Sequence, residues 1–237
     1  MRRQPPRPSG VFDIAFLTHD PGVTEVVLVR HGQQQIDDPL RGKVGDFIDP
    51  PLSDTGRRQA NLVGERFGPE RVDAVYASTL RRAYDTGAAI AGHHGLEPIA
   101  VADLREVEVF RDVPPECSAV EFVGRDALVV ARDRMIIEKR WDVYPYSESS
   151  DAFRARVVAA IEDIITSHRG QRVVVACHGG VINAYVAALL GIASDMFFRP
   201  AHTAVNVVVA GQDGIRALRS LGDVNHLQQD ASELLTY

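Results

Sequence analysis

The chain alternates between two hydrophobic rhythms. Continuous β-branched runs, "EVVLV" at 25–29 and "RVVVAC" at 172–177, read as strands covered on both faces. Apolar runs in "DAVYA", "PIAVA", "AVNVVVA" and "IRALRSL" read as further strands. Between them, apolar residues recur at helical spacing. "LSDTGRRQANLVGERFG" predicts a helix with Ser53 or Asp54 as N-cap, Leu62, Val63 and Phe67 facing inward, and Gly68 as the stop. Other helices are expected from near Thr79 to "HHG", over about 151–168, and over "VINAYVAALLG". Residues 118–139 also carry helical spacing, although "ALVV" and "MIIEK" fit either state. A long loop is expected around Gly42, Gly45, Pro50 and Pro51, and another at "VPPE".

Strands alternating with helices predict an α/β fold, a three-layer sandwich with a mostly parallel central sheet and helices on both faces. Residues 1–24 read as an extension whose first ten, rich in Pro and Arg, are expected to be disordered, ahead of a single domain over 25–237. A hydrophobic fraction of 45% is enough for a sizeable core. The formal charge of −6 gives no general attraction to nucleic acid or anionic lipid, so an anion site has to be built locally from arginines. Cys117 and Cys177, the two cysteines, form no CxxC pattern and suit a reducing compartment, which points to the cytoplasm. "VFDIAFL" is too short for a signal peptide, and no apolar run approaches the roughly 18 residues of a membrane span.

Two strands end alike. "VVLVRHG" and "VVVACHGG" each run into a histidine and then glycine, placing His31 and His178 at carboxyl ends of strands, the edge where parallel sheets bind ligands. "YASTLRRAYDT" puts Arg81 and Arg82 at the start of a helix, where backbone dipoles already favour an anion. Guanidinium groups at that point suit a phosphate, with Arg82 as the candidate and Arg81 as a solvated neighbour. Cys177 beside His178 raises the idea of a Cys–His pair. Successive strand residues point to opposite faces, so Cys177 is read as core.

"LVRHGQ", "LSDTGRRQA", "ASTLRRAYDT", "LREVEVF" and "VVVACHGGVI" occur in the order of the histidine phosphatase superfamily, the phosphoglycerate mutase-like proteins, which the chain resembles over roughly 25–210. The resemblance implies the phosphoglycerate mutase-like fold and phosphoryl transfer through a phosphohistidine, with no metal and no cofactor. It implies His31 as nucleophile, with Arg30, Arg82 and His178 around the phosphoryl group and Gly179 beside them. The family's acid lies in an L-x-E segment, which selects Glu106 over Glu108. Like-charge repulsion beside a dianionic phosphate favours the protonated form of a carboxyl, as an acid requires.

The chain departs from the pattern in places. Many relatives carry a small hydroxyl residue and an Asn after RHG, where this chain has Gln33, Gln34, Gln35 and Asp37. "VFRDVPP" replaces the stretch that often follows the acid, and "PYSESSDAF" could bring Glu148 and Ser149 to the pocket, with Ser149 or Ser150 as a helix cap. His202 could border the site. The leading expectation is a phosphatase acting on a small phosphorylated molecule, with no nucleic-acid or membrane partner; family members often form homodimers. The alternatives are a cofactor-dependent phosphoglycerate mutase and a phosphate-binding regulatory module without turnover. The mutases carry a basic insertion after the acid, whereas "PPECSAVEFVGRDALVVARDRMIIEKRWDVYP" is mixed in charge.

Overall fold

A computed structural model of the protein describes residues 10–17, 22–35, 42–228 and 232–237. In chain order the elements are α1 (Val11–Phe16), β1 (Thr24–Arg30), α2 (Val44–Ile48), α3 (Asp54–Phe67), β2 (Ala74–Ser78), α4 (Arg81–Gly92), β3 (Ile99–Val101), α5 (Ala119–Val123), α6 (Arg125–Glu138), α7 (Ser150–Ser167), β4 (Arg172–Cys177), α8 (Gly179–Leu190), β5 (Val205–Ala210), β6 (Arg216–Asp223) and α9 (Asn225–Gln228). The expected disorder of the first ten residues falls almost wholly outside the described ones. Further along, Leu17 is buried against Val209 and Ala217, so this part of the extension packs on the sheet.

The sheet has six strands in the order β3-β2-β4-β1-β5-β6. Neighbours from β3 through β1 are parallel, and β5 and β6 complete the sheet as antiparallel strands. The central strand β1 explains its own sequence: Val26 to Val29 are all fully buried, because alternate residues serve opposite faces. Val26 and Leu28 join Val173, Val175 and Cys177 against Phe153, Val157 and Ile161 of α7 and Val181, Ile182 and Tyr185 of α8. Val27, Val29, Val75 and Val174 meet Val63 and Phe67 of α3 and Ile90 of α4 on the other side. Burying each such side chain stabilises the fold by about 1.5–3 kcal/mol. Gly87 lets α4 lie close to the sheet, since a Cβ there would stand 3.2 Å from Ala176 Cβ and 3.3 Å from Ala77 Cβ.

Helix ends follow short-range chemistry. Ser53, not Asp54, caps α3 by accepting from Gly56 N–H at 3.0 Å, and Ser149 caps α7 by accepting from Ala152 N–H at 3.2 Å. Gly68 closes α3 in right-handed backbone, so its role as a stop owes nothing to a left-handed turn. The ambiguous stretch 118–139 is helical, broken at Gly124, whose φ of 92° a side chain would resist. The expected long loop before α3 contains the short α2. No helix among the described residues is long and apolar enough to cross a membrane.

Candidate active site

The carboxyl ends of β1, β2 and β4 open at the same edge of the sheet, where Arg30 stands level with Cys177 in parallel register. The chain approaching β5 meets them there, Thr203 N–H donating to the Arg30 carbonyl at 3.1 Å. Backbone rules therefore bring together residues far apart in sequence. His31 and His178 have ring centroids 5.1 Å apart, and the His202 ring lies 5.7 Å from that of His31.

His31 is buried, and its Nδ1 lies 2.7 Å from the Gly32 carbonyl. A carbonyl can only accept, so Nδ1 carries the proton and the lone pair sits on Nε2. Arg82 Nε donates to that Nε2 at 3.3 Å. Burial, with the positive fields of Arg82 and Arg30 adding to it, holds the His31 imidazole well below the usual histidine range, so the ring is neutral. Burial, reinforced by Arg82 and Arg30, does the same to His178.

Arg82 is 5% exposed in the first turn of α4, its Nη1 donating to the Ile48 carbonyl at 3.1 Å, whereas Arg81 points outward. Asp49 supplies the cap that Leu80 cannot, accepting from Arg81 N–H at 2.7 Å. Arg30 Nη1 donates to the Pro200 carbonyl at 2.5 Å. Its burial pushes the guanidinium down to about 10, against the opposing pull of Glu106. Arg30 Nε and His178 Nδ1 are both buried with no hydrogen-bond partner among the described residues. Two cations and two orphaned polar atoms around a neutral imidazole make a pocket suited to an anion. Among the described residues, no group of three or more His, Cys, Asp or Glu side chains is placed to hold a metal ion.

Glu106 reaches this cluster from the segment after β3. Its carboxylate accepts from Gly180 N–H at 3.0 Å and from Val107 N–H at 2.9 Å. Glu108 turns toward Arg111 at 3.0 Å and Arg105 at 3.6 Å. Glu148 does not join the site: Arg156 grips it at 2.8 Å through both Nε and Nη2. Gly179 opens α8, where an added Cβ would meet Arg30 Nε at 3.7 Å, an ordinary contact. Cys177 packs in the core on the α7 and α8 side.

Several contributors were not singled out in the sequence. Ser78 Oγ lies 2.9 Å from His178 Nε2 while accepting from Leu80 N–H. Thr86 Oγ1 accepts from Gly32 N–H at 3.0 Å and donates to the Arg82 carbonyl, tying the RHG loop to α4. Both lie in the motif "ASTLRRAYDT", so the signal existed while the role did not. The RHG loop and α3 touch backbone to backbone, a Cβ on Gly32 overlapping the Gly56 carbonyl and one on Gly56 the Gln33 carbonyl. Gln59 is fully buried on α3, its Oε1 accepting from Gln33 N–H at 2.7 Å and its Nε2 donating to the Leu234 carbonyl at 2.6 Å. Thr236 Oγ1 then meets His202 Nδ1 at 2.8 Å. Gln33, in the departing stretch, accepts from the Ser53 hydroxyl through its side chain. Asp37 lies outside the described residues.

Proteins similar in sequence and in fold are numerous. The chain is 31% identical over 219 residues to the Arabidopsis thaliana "Phosphoglycerate mutase-like protein 4", covering 90% of this chain and 91% of that protein. It is 32% identical to the "Metal-independent phosphoserine phosphatase" of Arabidopsis thaliana, covering 86% and 84%. A solved mycobacterial glucosyl-3-phosphoglycerate phosphatase superposes with a TM-score of 0.69 at 23% identity, over 85% of this chain and all of that one, a likeness of fold. The sequence profile of the histidine phosphatase superfamily (branch 1) matches residues 26–223, a span that begins on the strand delivering Arg30 and His31 and ends with β6. By profile, by identity and by fold, the chain belongs to the histidine phosphatase superfamily.

Proposed function

We propose that the protein is a phosphatase that hydrolyses a phosphomonoester through a phosphohistidine on His31. The observation that carries this reading is the Nε2 lone pair of a neutral, buried imidazole, presented beside Arg82, Arg30 and His178. In the first step Nε2 attacks phosphorus, an N–P bond forms and the ester P–O bond breaks. The proton of the Glu106 carboxyl passes to the leaving oxygen. Water then attacks phosphorus, gives its proton to Glu106, and the N–P bond breaks to free inorganic phosphate.

Arg30 and Arg82 carry the charge that spreads over the equatorial oxygens, the dominant contribution in phosphoryl transfer. Ser78, accepting from Leu80 N–H, has its own proton free for His178 Nε2. His178 then offers Nδ1–H to a phosphoryl oxygen. The first-turn amides at Gly179 add the partial positive end of α8. Cys117 and Cys177 are both free thiols, which supports a reducing compartment such as the cytoplasm.

The test is phosphate release from a panel of phosphomonoesters in EDTA, with 3-phosphoglycerate included. Wild type is expected to release phosphate and, on acid-free quenching, to retain a phosphohistidine that His31→Ala lacks. Interconversion of phosphoglycerates in place of net hydrolysis would move the assignment to a mutase, and turnover in His31→Ala would refute the covalent route.

A further inference from the structure

Arg82 and Glu106 of the site at the sheet edge also line a cavity of about 970 Å³. Its walls come from α2, the segment after Glu106 and the α5–α6 pair, and most of the side chains are apolar, Phe47, Ile48, Val107, Val113 and Leu128 among them. This is the upper end of the range of about 300–1,000 Å³ found for sites that engulf drug-sized ligands. A three-carbon phosphorylated acid would leave most of it filled with water against apolar walls.

The charges on the walls are partly paired with one another. Arg105 and Arg111 meet Glu108 at 3.6 Å and 3.0 Å, and Arg132 pairs with Asp133 at 2.7 Å. Arg125 is exposed on the first turn of α6, and Arg105 Nε is buried with no hydrogen-bond partner among the described residues. Across most of these walls a sugar or an amino acid would set hydroxyl, ammonium or carboxylate groups against Val, Leu and Phe, where polar groups without partners cost free energy. An apolar body would release water from both surfaces instead.

We infer that the substrate is a phosphomonoester of a bulky apolar alcohol, its phosphoryl group held at His31 and its hydrocarbon body lying in this cavity. The inference rests on the phosphatase reading above. Glu106, between the phosphate end and the apolar walls, stands where the ester oxygen would leave.

Primary alkyl phosphates from ethyl to octyl give the cleanest test, because their leaving groups have nearly the same basicity and differ in buried hydrocarbon. O-phosphoserine and 3-phosphoglycerate complete the panel. The expected result is a kcat/KM that climbs about two- to fourfold per added methylene. Phosphoserine and 3-phosphoglycerate should fall at least tenfold below octyl phosphate. Narrowing the cavity by Leu128→Trp, or separately by Ala119→Trp, should compress the octyl-to-ethyl ratio about tenfold. A flat or falling series, or a preference for either acid while phosphate is still released, overturns the inference and leaves the phosphatase reading standing. Failure of wild type to hydrolyse any ester would overturn that reading and this one with it.

Discussion

His31 owes its chemistry to one backbone atom. The Gly32 carbonyl accepts a hydrogen bond from Nδ1–H, which leaves the lone pair on Nε2, and burial keeps the ring neutral. Neighbouring glycines show how finely such positions are set. A Cβ on Gly180 would overlap Glu106 Oε1 and stand 3.0 Å from its Cδ, while a Cβ on Gly179 would only touch its neighbours. Gly180→Ala should therefore unseat the Glu106 carboxylate and lower kcat by about 10²–10⁴-fold, the usual contribution of a positioned acid. The displaced group is the far end of a flexible side chain, so the thermal midpoint should hardly move. Gly179→Ala should keep kcat within severalfold. Equal losses in the two variants, measured side by side, would mean that Glu106 is not the group at stake.

At the scale of elements, α3 does more than cover the sheet. Its cap Ser53 holds the Gln33 side chain, Gly56 packs on the RHG loop, and Gln59 joins Gln33 to Leu234 and Thr236. A loop with few apolar contacts is thereby fixed by hydrogen bonds to a helix. Gln59→Leu keeps the bulk but leaves the Gln33 N–H and the Leu234 carbonyl without partners, at about 1–3 kcal/mol in stability for each buried group. Urea unfolding should register that loss. Because Thr236 orients His202 beside His31, kcat should fall more than KM rises. A variant as stable and as active as wild type would show that the α3 bridge is dispensable. The pair α5–α6 presents the opposite case. Ala131 is the one buried residue of α6, and Val130, Ile136 and Ile137 lie exposed, which is why "ALVV" and "MIIEK" gave no clear helical face to read.

For the whole molecule, the buried histidines set an acid limit. His31 and His178 are held well below the usual histidine range, and His202 is brought down to about 3 by burial and by Arg30. Each is neutral in the folded protein and takes up a proton on unfolding once the pH drops below about 6.5. The unfolded state then binds more protons, so stability is full above that pH and is lost as the pH falls toward the folded values. The slope is on the order of 1 kcal/mol per pH unit for each histidine. Denaturant titrations should thus give a free energy of unfolding roughly 2–4 kcal/mol lower at pH 5.5 than at pH 7.5. A flat profile across that interval would contradict neutral burial of the three rings. Anion binding rests on arginines, so the pocket keeps its positive charge throughout.

What the sequence determined alone is whatever depends on neighbours along the chain. Strands buried on both faces are apolar throughout, helix starts take a Ser or Asp cap, and a strand that runs into Arg30 and His31 places them at its carboxyl end. Hence the sandwich and the strand-end positions of His31 and His178 were legible in the sequence, and the resemblance carried by "RHG", "ASTLRRAYDT" and "HGG" implied that Arg30 and Arg82 join them. Only the tertiary structure decided which partners complete them. The contact of Gly32 with Gly56, the seat of Glu106 on Gly180, the Thr86 tie, the bridge from Gln59 to His202 and the apolar cavity under α5–α6 all join segments distant in sequence. No local periodicity encodes a contact whose second half is supplied by another part of the chain, and such contacts position the reacting groups and shape the room their substrate must fill.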